Sequence, residues 1–191
     1  MKPITVSTSE TRVTYQQVIG FWFDEIEPAM RWKKDDAFDA LLVERFSETH
    51  TRACRCELFE WRRHPQGRLA EIIVLDQFSR NMFRDSVLAF ANDAMALALS
   101  QEAIACGADQ VLTPEQRSFL YMPFMHSESL QIHEVAVELF RENGIRSNLD
   151  FEFKHKKIIE KFGRYPHRNE VLGRQSTAEE LEFLTGPGSS F

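Results

Sequence analysis

Three stretches of this 191-residue chain concentrate side chains able to hold charge or move protons. The first is Asp76-Gln77-Phe78-Ser79-Arg80-Asn81-Met82-Phe83-Arg84. Asp76 and Arg80 stand four apart, as do Arg80 and Arg84, so each pair shares a face if the segment is helical. The arginines can satisfy last-turn carbonyls and pair with Asp76. Alternatively Arg80 or Arg84, with Asn81, meets an anionic ligand, because the guanidinium fork matches carboxylate and phosphate geometry. The second stretch runs from Pro123 to Gln131 and holds His126, Glu128 and Gln131, with His133 and Glu134 just beyond. A histidine and a carboxylate are the minimum for proton transfer, but the same pair can simply hydrogen-bond other helix ends.

The third stretch, Phe162 to Thr177, crowds Arg164, His167, Arg168, Asn169 and Arg174 into a turn-rich linker. With Lys154, Lys156, Lys157 and Lys161 it makes a window, 154–174, of seven basic residues against Glu160 and Glu170, inside a chain of net charge −6. Such asymmetry marks an anion site or a solvated face beside acidic neighbours. Loops dense in specific polar residues favour the first reading, since they need not supply the core. The Ser176-Thr177 helix start adds free backbone N–H groups.

Metal and nucleophile templates fail. His126-Ser127-Glu128 matches half of a zinc-deaminase signature, but no Pro-Cys-x-x-Cys follows. His126 and His133 lie roughly 10 Å apart along a helix, too far to share one ion at ~2 Å. No phosphate loop, dinucleotide fingerprint, His-Glu-x-x-His or nucleophile elbow is present. Cys54 and Cys56 fall in helical pattern without an obvious histidine partner and read as reduced thiols, and three cysteines with Cys106 make no disulfide framework. The sequence therefore points to no metal and no cofactor.

The elements that must position these groups are helices. Hydrophobic residues make up 43% and charged residues 27%, with 16 Phe and 3 Trp as core material. Apolar residues recur at three and four, with no sustained strand-like alternation. The pattern predicts a first helix over Thr14–Ile26, and a second capped by Asp35 or Asp36. A third carries Ala53, Cys56, Phe59 and Trp61, and an apolar central helix starts at Arg68. A long helix follows Asp85-Ser86 and stops at Gly107. Thr113-Pro114-Glu115-Gln116 is a capping box for a helix ending near Met122-Pro123. Helices over Ser127–Asn143 and Leu149–Phe162 close at Gly144 and Gly163, and Ser176 to Glu179 is a second capping box. The fold expected is all-α, an irregular array of about eight or nine helices. It has a flexible 1–10, one helical domain over 11–185 in which two layers can meet near 85–112, and a loose 186–191 tail.

These motifs, in this order, resemble the bacterial family catalogued as domain of unknown function 924. The block Leu-Asp-Gln-Phe-x-Arg-Asn-x-Phe-Arg is found from Leu75 to Arg84, and Tyr-x-Pro-Phe-x-His-Ser-Glu from Tyr121 to Glu128. Phe-Gly-Arg-aromatic-Pro-His-Arg-Asn spans Phe162 to Asn169, and Leu-Gly-Arg-x-Ser-Thr-x-Glu-Glu spans Leu172 to Glu180. Ser79 stands where Pro is common and Tyr165 where Phe is common. The resemblance implies an all-helical, tetratricopeptide-like superhelical array and assigns no activity.

The expectation is a cleft in which the three motifs meet. Asp76, His126, Glu128 and His167 are the candidates for acid–base work. Arg80, Asn81, Arg84, Gln131, Arg164, Arg168, Asn169 and Arg174 are the candidates for holding a small anionic molecule or a peptide carboxylate. Hydrolysis or transfer would be the chemistry. A peptide-binding scaffold and a purely structural network of paired buried charges stay open beside it. The acidic balance argues against nucleic acid. The absence of a long apolar run or signal-like start argues against a membrane and for the cytoplasm.

Overall fold

The computed structural model describes residues 12–189, and no strand occurs among them. The helices are α1 (Tyr15–Gly20), α2 (Asp36–Cys54), α3 (Pro65–Ile73), α4 (Ser79–Met82), α5 (Asp93–Ala105), α6 (Pro114–Met125), α7 (Leu130–Asn143), α8 (Arg146–Phe162) and α9 (Ala178–Leu184). A π turn, Phe21–Glu25, extends α1, and a second, Val74–Phe78, joins α3 to α4 as one continuous rod. The 1–10 segment and residues 190 and 191 lie outside the described residues.

The rod from α3 to α4 is the axis of the molecule. Leu69 through Ser79 are all buried, and α3 packs against α1, α5 and α6. From α5 to α8 each helix packs on the next in chain order. Trp22, Phe21, Phe46 and Phe78 are essentially solvent-free and interlock, with Phe46 and Phe78 centroids 5.0 Å apart. Each such burial contributes roughly 1.5–3 kcal/mol. A π turn is a common companion of functional sites, and here Asp76 and Gln77 sit inside one. No helix among the described residues is long and apolar enough to cross a membrane.

Capping chemistry sets the boundaries. Thr113 and Gln116 form the expected box, and Gly107, Gly144 and Gly163 take left-handed φ at helix ends. Thr14 and Gln17 form a further box at α1. The last box is shifted by one residue, with Thr177 as cap and Glu180 as its partner. Asp35, not Asp36, caps α2. Four expectations are corrected. The stretch Ala53–Trp61 is no single helix: α2 ends at Cys54, Cys56 turns at φ +58°, and a short 3-10 turn spans Phe59–Arg63. The long helix after Ser86 begins only at Asp93, after a 3-10 turn over Val87–Ala89. Pro123 lies inside α6 rather than ending it. Pro65 opens α3 from its first turn, where a missing N–H costs nothing.

Gly67 is where this geometry is tightest. A Cβ there would stand 2.1 Å from the Trp61 carbonyl oxygen, which is backbone and cannot rotate away. Gly67→Ala must therefore push the Phe59–Arg63 turn off α3, and should cost about 3 kcal/mol or more on the scale of overpacked cores. Urea unfolding measures this; a loss below about 0.5 kcal/mol would show that the turn yields freely.

Candidate functional site

Asp76 is the hub. Its side chain is 1% exposed, and Arg80 and His126 both reach its Oδ1, at 2.9 and 2.7 Å. Gln77 Nε2 donates to the other oxygen. Burial alone would raise the Asp76 carboxyl, but Arg80 and His126 override it and hold it well below the usual carboxylate range. An ionised carboxylate only accepts, so His126 Nδ1 must carry the hydrogen in that contact. Burial and the Arg80 charge push His126 down, which keeps its ring neutral. The remaining nitrogen, Nε2, is thus a lone-pair acceptor, and it makes no hydrogen bond among the described residues.

Arg80 extends from this hub to α5. It binds Asp93 through both terminal nitrogens, each at 2.9 Å. Arg168 reaches the same carboxylate from the Pro166–Arg168 turn, at 3.3 Å. The Arg168 guanidinium stands over two rings, 4.7 Å from the Phe90 centroid and 4.5 Å from that of Tyr165. Burial and the neighbouring Arg80 charge lower its pKa. His167 is depressed to about 4 by burial and by Arg168.

Tyr165 ties this turn to α6 and α7. Its hydroxyl donates to the Met125 carbonyl at 2.6 Å and stands 3.1 Å from His133 Nε2. His133 Nε2 also meets the Ser127 carbonyl, which can only accept, so that nitrogen carries hydrogen. Its Nδ1 faces Glu152 at 2.7 Å, both side chains solvent-free, and burial pushes the Glu152 carboxyl up. The Tyr165 backbone N–H donates to Glu128 at 2.7 Å, and Arg174 grips the same carboxylate at 2.6 and 2.9 Å. Burial works against the Glu128 charge, but Arg174 and that N–H prevail and lower its pKa.

The comparisons bear on the whole chain. Residues 18–188 match a family described as bacterial protein of unknown function (DUF924). The chain belongs to the DUF924 family. A solved structure from Agrobacterium tumefaciens, titled protein of unknown function ATU0120, is similar at 36% identity and a TM-score of 0.85. It covers 89% of this chain and 96% of its own. No curated protein matches.

In this DUF924 chain the three motifs meet, but not all expected residues join them. Asp76, Arg80, His126 and Arg168 form the inner cluster, with His167 in the field of Arg168, Glu128, Arg80 and His126. Glu128, Asn169 and Arg174 buttress it: Arg174 Nε donates to Asn169 Oδ1 at 3.0 Å. Arg84 and Asn81 turn elsewhere and together clasp Asp39 of α2 at 2.8–2.9 Å. Arg164 is spent on Glu180, whose carboxyl it pulls to about 2. Gln131 is exposed on α7. Cys54 has a histidine partner after all, with His50 Nδ1 3.6 Å from its sulfur, yet burial raises the thiol rather than activating it.

The residues that sequence reasoning missed are Asp93, Tyr165, Phe90 and the His133–Glu152 pair. A signal for Asp93 existed. The three motifs hold five candidate arginines, Arg80, Arg84, Arg164, Arg168 and Arg174, against four carboxylates, Asp76, Glu128, Glu179 and Glu180. Buried arginines need partners, so at least one carboxylate had to be recruited from another helix.

Proposed function

We propose that this DUF924 chain binds a small anionic molecule beside the Asp76–His126 pair and acts on it by general-base chemistry. The observation that carries the reading is the 2.7 Å contact of His126 Nδ1 with Asp76, which leaves the ring's lone pair on Nε2 while Arg80 reaches the same carboxylate oxygen. His126 Nε2 would take a proton from a water or a ligand hydroxyl, and Asp76 would stabilise the imidazolium so formed. Arg80 and Arg168 would hold the ligand's anionic group and offset negative charge that develops during hydrolysis or transfer. Most of the outer arginines are braces rather than ligand contacts, so the reading is confined to the inner cluster.

The test is a thermal-shift screen of small carboxylates and phosphate monoesters. A ligand at a hundred times its Kd should stabilise by about 2.7 kcal/mol, an upward shift of about 5–10 °C for a chain of this size. Arg168→Lys should abolish that shift, because an ammonium lacks the planar fork. His126→Gln should keep binding and lower any turnover by about 10²–10⁴-fold. The reading fails if no anion gives a saturable shift, or if Arg168→Lys leaves the shift intact.

A tetratricopeptide-like peptide scaffold is the second reading. Its support is a groove of about 520 Å³ between α7 and α8, floored by Val137 and half-exposed Phe153. Glu134, Glu138, Lys156, Lys157 and Glu160 line it with both signs of charge, which gives an incoming peptide little electrostatic direction. Pull-downs that recover no reproducible partner, or one unaffected by Phe153→Asp, would remove it.

A further inference from the structure

We infer that Asp93 is a built-in stand-in for the ligand, and that the ligand's anionic group is a two-oxygen acceptor, a carboxylate or a phosphate, that binds by displacing it. The inference rests on the small-anion reading and names what is exchanged there.

Arg168 is the starting point. Its residue is 6% exposed, and its five N–H donors have one hydrogen bond between them, the 3.3 Å contact with Asp93. Its Nε is buried with no hydrogen-bond partner. By contrast Arg174 makes four bonds and Arg164 three. The Phe90 and Tyr165 rings both stand against the Arg168 guanidinium, and neither supplies it a hydrogen-bond acceptor in the ring plane. A buried cation left this short of acceptors is costly. A group with two acceptor oxygens offers the guanidinium a pair of bonds where Asp93 supplies one.

Asp93 is suited to leave. Its side chain is 21% exposed, Arg80 beside it 19% and His126 16%, whereas Asp76 is 1% and Arg168 8% exposed. The most exposed side chains of the inner cluster are therefore Asp93, Arg80 and His126. Asp93 is also the first residue of α5, so a short swing carries its carboxylate to solvent while it stays near the helix N-terminus. Departure of Asp93 removes one negative charge next to two arginines. A monoanionic carboxylate restores the balance. A phosphate dianion adds a further charge, which protonation of His126 at Nε2 can match, so the two classes differ in proton uptake on binding.

The experiment titrates full-length protein with acetate and, separately, inorganic phosphate, by calorimetry in two buffers of different ionisation enthalpy. If Asp93 holds the arginines nine-tenths of the time, removing it should tighten anion binding about tenfold. Asp93→Asn, with Asp93→Ser as the second variant, should show that gain, and adding Arg168→Lys should cancel it. At a pH where free phosphate is already the dianion, phosphate binding should take up a proton and acetate binding should not, and the tighter of the two names the class. If wild type binds an anion through Arg168 but neither Asp93 variant binds it more tightly, the small-anion reading stands and the stand-in role is overturned. If both variants lose cooperative unfolding, Asp93 is a brace and the inference falls as well. If neither wild type nor variant binds either probe or any member of the screen, both readings fall together.

Discussion

Asp76→Asn should lower the stability of this protein by about 3–5 kcal/mol, the usual loss when one member of a buried ion pair is removed. The substitution keeps the shape, and the amide oxygen can still accept the His126 Nδ1 hydrogen. What disappears is the charge that offsets Arg80, leaving Asp93, among the described residues, as the one carboxylate hydrogen-bonded to that guanidinium in a site where burial already penalises it. Because Asp76 lies inside the π turn of the central rod, the damage cannot be relieved at the surface. The contrast is Asp39→Asn. Asp39 also holds an arginine with two bonds, but Arg84 is 28% exposed, so water can replace what is lost. That variant should cost about 1 kcal/mol or less. Urea unfolding of the two proteins side by side decides the matter. A loss at Asp76 no larger than at Asp39 would mean that geometry, not charge, holds the hub.

The same comparison shows what could be read in the chain and what could not. Local chemistry was legible: Thr113 with Gln116, and the glycine stops at 107, 144 and 163, are settled by a few neighbouring residues. The all-helical class followed from periodicity and from the family motifs. Pro123 reads as a helix end because an interior proline usually ends or kinks a helix, yet α6 runs on to Met125. The π turn over Val74–Phe78 has no residue signature, since its sequence also suits an ordinary buried helix. Asp76 meets His126 and Glu128 meets Tyr165, so the motifs touch, but the partner of each arginine is not legible in the sequence. Arg84 finds Asp39 across 45 positions and Arg168 finds Asp93 across 75, distances over which spacing carries no information. Only the charge balance of the motifs, five arginines to the four carboxylates Asp76, Glu128, Glu179 and Glu180, hinted that a carboxylate would arrive from elsewhere.

Acid should unfold the protein in two overlapping stages, the first governed by histidines. Burial holds His155 at about 3 and His167 at about 4, and His126 is lowered as well. In the unfolded chain each returns to about 6.5. The folded state therefore binds fewer protons than the unfolded one below that pH, and stability falls as pH drops from about 6.5 toward the folded values. For His167 the difference is on the order of 3 kcal/mol by pH 4, at 1.36 kcal/mol per pKa unit. The carboxylates lowered in the fold, Asp76, Glu128 and Glu180, act later: their contribution is complete above about 4 and fades below it. Glu152 opposes both, because its folded pKa is raised and acid favours its buried form. Against a total stability of about 5–15 kcal/mol, the histidine stage alone takes the protein close to its limit before the carboxylates titrate. Urea midpoints followed from about pH 7.5 to 4.5 should slope downward throughout in the wild type. In His155→Gln with His167→Asn the slope between about 6.5 and 4.5 should flatten, whatever the double variant costs at neutral pH. An unchanged slope would place the acid sensitivity in the carboxylates alone.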